Sequence, residues 1–249
     1  MKRFWDTAAA ASEAGGFRVL LDGKPVRLPG GDPLLVQAAP LAEAIAAEWA
    51  AAGGEKGGEM TAEDIPLTRL AGTAQERIAP DPGPMVEGLA KYAESDLLCY
   101  RAGNRQLAAL QAAEWQPLLD WATLAHDAPL RVTTGLMPVP QPADSVAALR
   151  RAVAALRPIE LTALGVLVPG FGSLVLGLAV VQGRLEAAEA HRLSILDETF
   201  QEEFWGLDEE AAARRKRISA DVAQAARLLR LAQGAPRGEP GGEPGGAAA

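Results

Sequence analysis

The side chains with the most chemical potential gather late in the chain. Asp197, Glu198, Glu202 and Glu203 form an acidic cluster, and Glu198 and Glu202, four residues apart, share one side of a helix. His191 lies seven residues before Glu198 on roughly the same side. Two such carboxylates could divide acid and base duties if burial separated their pKa values. No further feature marks a reacting substrate, so a solvated face or a charged protein-contact surface is the simpler reading.

Other reactive types are sparse. Cys99 is the single cysteine and sits in the apolar run Leu97-Leu98-Cys99-Tyr100, which reads as a buried thiol. It excludes an internal disulfide and a multi-cysteine zinc site within one chain. Two histidines, His126 and His191, are too few for a histidine-rich metal site. Gly170, Gly172 and Gly177 lack dinucleotide-binding spacing, and the chain carries neither a phosphate-cradling loop nor a nucleophile elbow. Ser173 reads as a helix cap. Arg214-Arg215-Lys216-Arg217 spreads around a helical turn and follows Glu209-Glu210, so it reads as a solvated face. The expectation is a protein without catalytic residues, cofactor or metal.

The elements that position these groups follow from patterning. Phe17, Val19 and Leu21 alternate along a strand, and Asp22-Gly23 turns the chain into Lys24–Leu28. Pro25 assigns the second strand to an edge, and Leu34–Val36 adds a third. A helix opens near Pro40, carries Leu41, Ile45 and Trp49 on one side, and stops at Gly53-Gly54. Trp49 is expected to pack it on the hairpin. Ile65-Pro66-Leu67 is expected extended, with Thr68 capping a helix beyond. The proline-rich stretch 80–84 ends this unit.

Helices follow. Leu107, Leu110, Leu118 and Trp121 mark a long one with Pro117 inside it, and Asp144 or Ser145 caps another. Leu161–Gly183 carries no charge and is long enough to raise a membrane span. Pro169-Gly170 in its middle argues for a buried helical hairpin broken there. Leu185 to Leu207 reads as one amphipathic helix and Asp208–Leu231 as the last. The expected fold is α+β: a small β-rich amino-terminal domain over 1–84, a larger mostly helical domain over 85–231, and a disordered glycine, proline and alanine tail over 232–249.

The formal net charge of −8 disfavours nucleic acid and anionic lipid as partners. Met1 to Asp6 contains no apolar run of the export-signal kind, so a cytoplasmic protein without integral membrane insertion is expected.

Several longer strings occur in a recognisable order. They are Lys2–Trp5, Gly16–Pro25, Glu43–Trp49, Ile65–Ala71, Asp96–Arg101, Pro117–Trp121, Gly172–Leu176, and Leu196-Asp197-Glu198 through Gln201 with Trp205-Gly206. Together they resemble the assembly chaperones that bind the alpha subunit of the F-type ATP synthase catalytic head. The resemblance implies a small strand-rich domain, a larger helical one, and a non-enzymatic molecular chaperone that keeps unassembled alpha subunit from aggregating. It implies client binding by the carboxylates Glu198, Asp197 and Glu202, with Glu198 the first choice, and structural duty for Trp49, Asp96, Trp121 and Trp205. Gln116 stands where the family commonly has an acidic residue, and Pro169-Gly170-Phe171 makes an unusual turn. A general protein-interaction scaffold, or a small-molecule enzyme using His191 and the carboxylates, is the alternative.

Overall fold

The computed structural model describes residues 1–135 and 137–233. A strand-rich amino-terminal region is followed by a mostly helical remainder, the expected α+β class. Strand β1 (Ala8–Glu13) and β2 (Gly16–Leu21) pair antiparallel, with Ala8 opposite Leu21 and Glu13 opposite Gly16. The Asp22-Gly23 turn leads into β3 (Lys24–Pro25), which shares the other edge of β2 with β4 (Leu35–Val36). The alanine run of β1 is a strand that patterning did not anticipate. Alanine carries no β preference of its own, and pairing with β2 decides the matter.

Helix α1 (Ala39–Ala51) packs across β1 and β2. Trp5 is fully buried beneath it, edge-on to Trp49 at 5.0 Å between ring centroids, and its indole N–H donates to the Trp49 carbonyl. Trp49 in turn donates to Thr68 Oγ1 at 3.0 Å, so it ties α1 to the next helix as well as to the chain start. That helix, α2 (Pro66–Thr73), begins at the proline and not beyond Thr68. Proline at the first position loses no helical bond. The carboxylate of Glu48, on α1, accepts the N–H groups of Leu67 and Thr68 and supplies the anion that the helix start lacks. Thr68 is therefore a helical residue and not the cap.

A π-helical turn over Ala74–Ile78 and helix α3 (Gly83–Ala90) lead to the short parallel pair of β5 (Tyr100–Arg101) with β6 (Thr133–Thr134). Between those strands runs α4 (Arg105–His126), one helix through Pro117, with Trp115, Leu118 and Leu119 buried on either side of the proline. Helix α5 (Ala143–Ala154) has no side-chain cap, because Pro142 holds the cap position; Asp144 and Ser145 lie inside its first turn, where Ser145 donates to the Pro129 carbonyl.

The uncharged stretch forms the buried pair α6 (Pro158–Phe171) and α7 (Leu174–Val181). Pro169 does not divide it. The proline costs α6 one backbone bond, while the buried neighbours Leu167, Val168 and Phe171 hold the helix on. The chain turns at Gly172, whose φ of 65° is left-handed, and Ser173 caps α7 by accepting from Leu176 N–H. Gly177 lets the two helices close: a methyl there would stand 2.6 Å from Val168 Cγ2. No helix among the described residues is long and apolar enough to cross a membrane.

The expected single helix over 185–207 is two, α8 (Ala187–Ser194) and α9 (Leu196–Trp205), joined at Ile195. Helix α10 (Glu209–Gln233) then packs along α6 and α8 and reaches back to α1 and α2. One hydrophobic cluster runs from Trp5 to Leu229. Residues 232 and 233 complete α10; the tail expected beyond them lies outside the described residues.

Candidate functional site

Helix α9 carries the three carboxylates expected to matter. Leu196, at its start, is buried, and the other residues of known burial are half-buried or exposed. Polar bonds hold it in place. Gln111 of α4 donates to Asp197 Oδ1 at 2.7 Å and accepts from Ala102 N–H, so a buried amide links α9 to the strand–helix loop. Arg214 and Arg215 of α10 donate to Glu198 at 3.0 and 3.1 Å, and Arg215 also donates to Glu202. The Arg215 side chain is only 11% exposed. The basic run read as a solvated face is therefore half spent on bracing α9. The hydrogen bond to Glu202, ahead of that to Glu198, holds the Arg215 guanidinium above its ordinary pKa.

His191 lies under this bridge. Its Nε2 is buried without a partner, and burial, assisted by the Arg215 charge and opposed by Glu198, pushes its pKa down. A neutral imidazole beside matched ion pairs is a packing group. Glu203 points outward and makes no ion pair among the described residues.

The remaining reactive types are elsewhere and occupied. Ser173, fully buried, donates to Asp96 Oδ1 at 2.7 Å. Asp96 also accepts N–H groups from Leu98 and Val175, at the start of a 3-10 turn and of α7. Burial pushes its pKa up against the pull of those donors. Cys99 is 2% exposed, and burial pushes its thiol to about 12, well away from a nucleophile's range. Buried Arg101 lies over the Trp115 ring at 5.7 Å and donates to the Leu98 and Tyr100 carbonyls and to Gln116 Oε1. The departure at Gln116 thus gives this cation a neutral acceptor. Among the described residues no group of three histidine, cysteine or acidic side chains could hold a metal.

Trp49 and Asp96 stand in the core, and Trp121 is half-buried with its ring edge-on to His126 at 5.2 Å. Trp205, grouped with them from sequence, is 88% exposed and cannot serve the core. It ends α9, and Gly206, at φ 85°, swings the chain toward α10 with Leu207 66% exposed. On one side of Trp205 lies a shallow groove floored by Leu107 and Phe200 and edged by Ala102 and Asn104, of about 390 Å³. The Glu198, Glu202, Arg214 and Arg215 cluster lies on the other.

Sequence reasoning missed this exposed corner, because the resemblance implies structural duty for Trp205 and a large aromatic is ordinarily well buried. It missed the bracing arginines too. Their signal was present: an acidic helix, a glycine turn, then a basic run is the charge pattern of two helices folded side by side.

The ATP12 chaperone protein family model matches residues 2–123. A crystal structure of Atp12 from Paracoccus denitrificans is 44% identical, covers 93% of this chain and 98% of its own, and superposes with a TM-score of 0.87. An aspartate-to-lysine mutant of the P. denitrificans protein gives the same identity and TM-score. A crystal structure of a protein from Agrobacterium tumefaciens is 38% identical over 92% of this chain and 85% of that one, with a TM-score of 0.83. The chain belongs to the ATP12 family of chaperones, which are not enzymes.

Proposed function

We propose that this protein is an assembly chaperone for the proton-transporting ATP synthase, acting in the cytoplasm, and that its client is the unassembled alpha subunit of the catalytic head. Family membership supports the chaperone role. The observation that carries the rest is the α9–α10 corner: Trp205 and Leu207 are offered to solvent, with Glu198, Glu202 and Asp208 lining the cleft beside Trp205. Two large apolar side chains exposed two residues apart and rimmed by charged groups form a patch of the kind that marks a protein contact.

An unassembled subunit exposes the apolar surface meant for its neighbours, and such surfaces aggregate. Covering part of that surface with Trp205 and Leu207 removes it from water, while the exposed carboxylates that make no ion pair among the described residues, Glu203, Glu209 and Glu210, orient the client by charge. A contact made by exposed side chains, without deep burial, can be undone at modest apolar cost. That suits reversible capture and displacement by the rightful partner subunit.

Purified alpha subunit, diluted from denaturant with and without this protein, tests the reading by co-purification and light scattering. Capture and suppression of scattering are expected, with unrelated unfolded proteins protected far less. Equal protection of all clients would replace the specific reading with that of a general scaffold.

A further inference from the structure

The inner carboxylates of the corner are already matched by arginine, and the outer ones are not. Glu198 and Glu202 spend their charge on Arg214 and Arg215. Glu203, Glu209 and Glu210 are exposed and make no ion pair among the described residues. Asp208, also exposed, caps α10 by accepting from Glu210 and Ala211 N–H, and lines a cleft with Arg214 and Arg215 without an ion pair to either. Four exposed acids that make no ion pair among the described residues therefore flank Trp205 and Leu207 along the chain. The groove beside Trp205 is floored by Leu107 and Phe200 and offers few polar groups, those of Asn104 and Gln201.

We propose that this corner reads a short segment in which one bulky aliphatic or aromatic side chain is flanked by arginine or lysine. This deepens the client-binding reading above and rests on it. The apolar side chain enters the groove against Trp205 and Phe200. The flanking cations meet Glu203, Asp208, Glu209 and Glu210, and one guanidinium can lie over the exposed Trp205 ring. An acidic flank is disfavoured, because it would bring like charge against four carboxylates that the exposed Lys216 and Arg217, further along α10, offset only in part. Glu198 and Glu202 act as positioning residues, keeping α9 at the angle that opens the groove.

Short labelled peptides, identical except for their flanks, test this with the full-length protein by fluorescence polarisation. One has leucine between arginines, one has leucine between glutamates, and one has serine between arginines. The arginine–leucine peptide is expected to bind roughly tenfold or more tightly than either control, and to weaken with added salt. Trp205→Ala with Leu207→Ser should remove the preference for leucine over serine. Glu203→Lys, Glu209→Lys and Glu210→Lys together should remove the preference for arginine over glutamate flanks. All these positions are exposed, so unchanged circular dichroism is expected, with at most a small fall in Tm where lysine replaces the two acids of the first turn of α10, and this separates binding from folding. Equal binding of the arginine- and glutamate-flanked leucine peptides, or unaltered preferences in the two variants, overturns the proposal. Capture of whole alpha subunit by the unaltered protein is scored separately. Its presence without flank preference sinks this inference alone, and its absence with flank preference intact sinks the choice of client alone.

Discussion

Arg215 Nη1 donates to Glu198 Oε2 at 3.1 Å, joining helices α10 and α9 across the Gly206 turn. The family resemblance points to Glu198 as the first client contact, yet its charge is engaged within the molecule. Glu198→Lys would set a second cation beside Arg214 and Arg215 and loosen α9. Amide exchange across α9 is expected to quicken, client capture to fall, and global stability to change by less than about 1 kcal/mol, since the pair is partly exposed. The charge swap Glu198→Lys with Arg214→Glu re-forms the ion pair between positions 198 and 214, leaves Arg215 on Glu202, and should restore part of both protection and capture. Restored protection without restored capture would show that Glu198 touches the client itself.

Asp96 joins segments 77 residues apart through Ser173 and satisfies the backbone at two helical starts. Asp96→Ala leaves three buried donors without an acceptor. Urea denaturation should show a loss of about 3 kcal/mol or more, whereas Ser173→Ala, which retains the backbone bonds to Asp96, should cost less.

Glu48 does the same for α2, at 8% exposure. Glu48→Ala is expected to lower stability by about 2 kcal/mol, with the loss of protection concentrated in the amides of α2.

Acid sensitivity follows from the two half-buried imidazoles. Burial lowers the pKa of His126 and His191 from 6.5, so the unfolded chain takes up protons first. Their contribution is whole above about pH 6.5 and is lost as pH falls through the lower folded values. Asp96 and Glu48 have raised pKa values and act in the opposite sense, gaining on acidification. Comparison with His191→Gln isolates the imidazole. Between pH 7 and 5 the unaltered protein should lose Tm more steeply than the variant; parallel curves would refute the assignment.

The Cys99 thiol, buried and raised to about 12, should resist iodoacetamide in the native state at pH 8. Alkylation should track unfolding in urea. Fast native labelling would contradict the packing around Leu97–Tyr100.

Local signals in the chain were strong enough to read the β2–β3 turn at Asp22-Gly23, the α1 stop at Gly53-Gly54, and the class of the fold, because these depend on neighbours in sequence. The family strings, too, are a property of the sequence alone. Where long-range contact competes with local preference, the outcome belonged to tertiary structure. Pairing with Phe17–Leu21 made a strand of an alanine run, burial carried α6 through Pro169, and Glu48 supplied from another helix the cap assigned to Thr68. At the candidate site, residue types and their order showed acids followed by arginines. Only the fold settled which charges cancel and that Trp205 faces water, because both depend on the angle at which α9 and α10 meet.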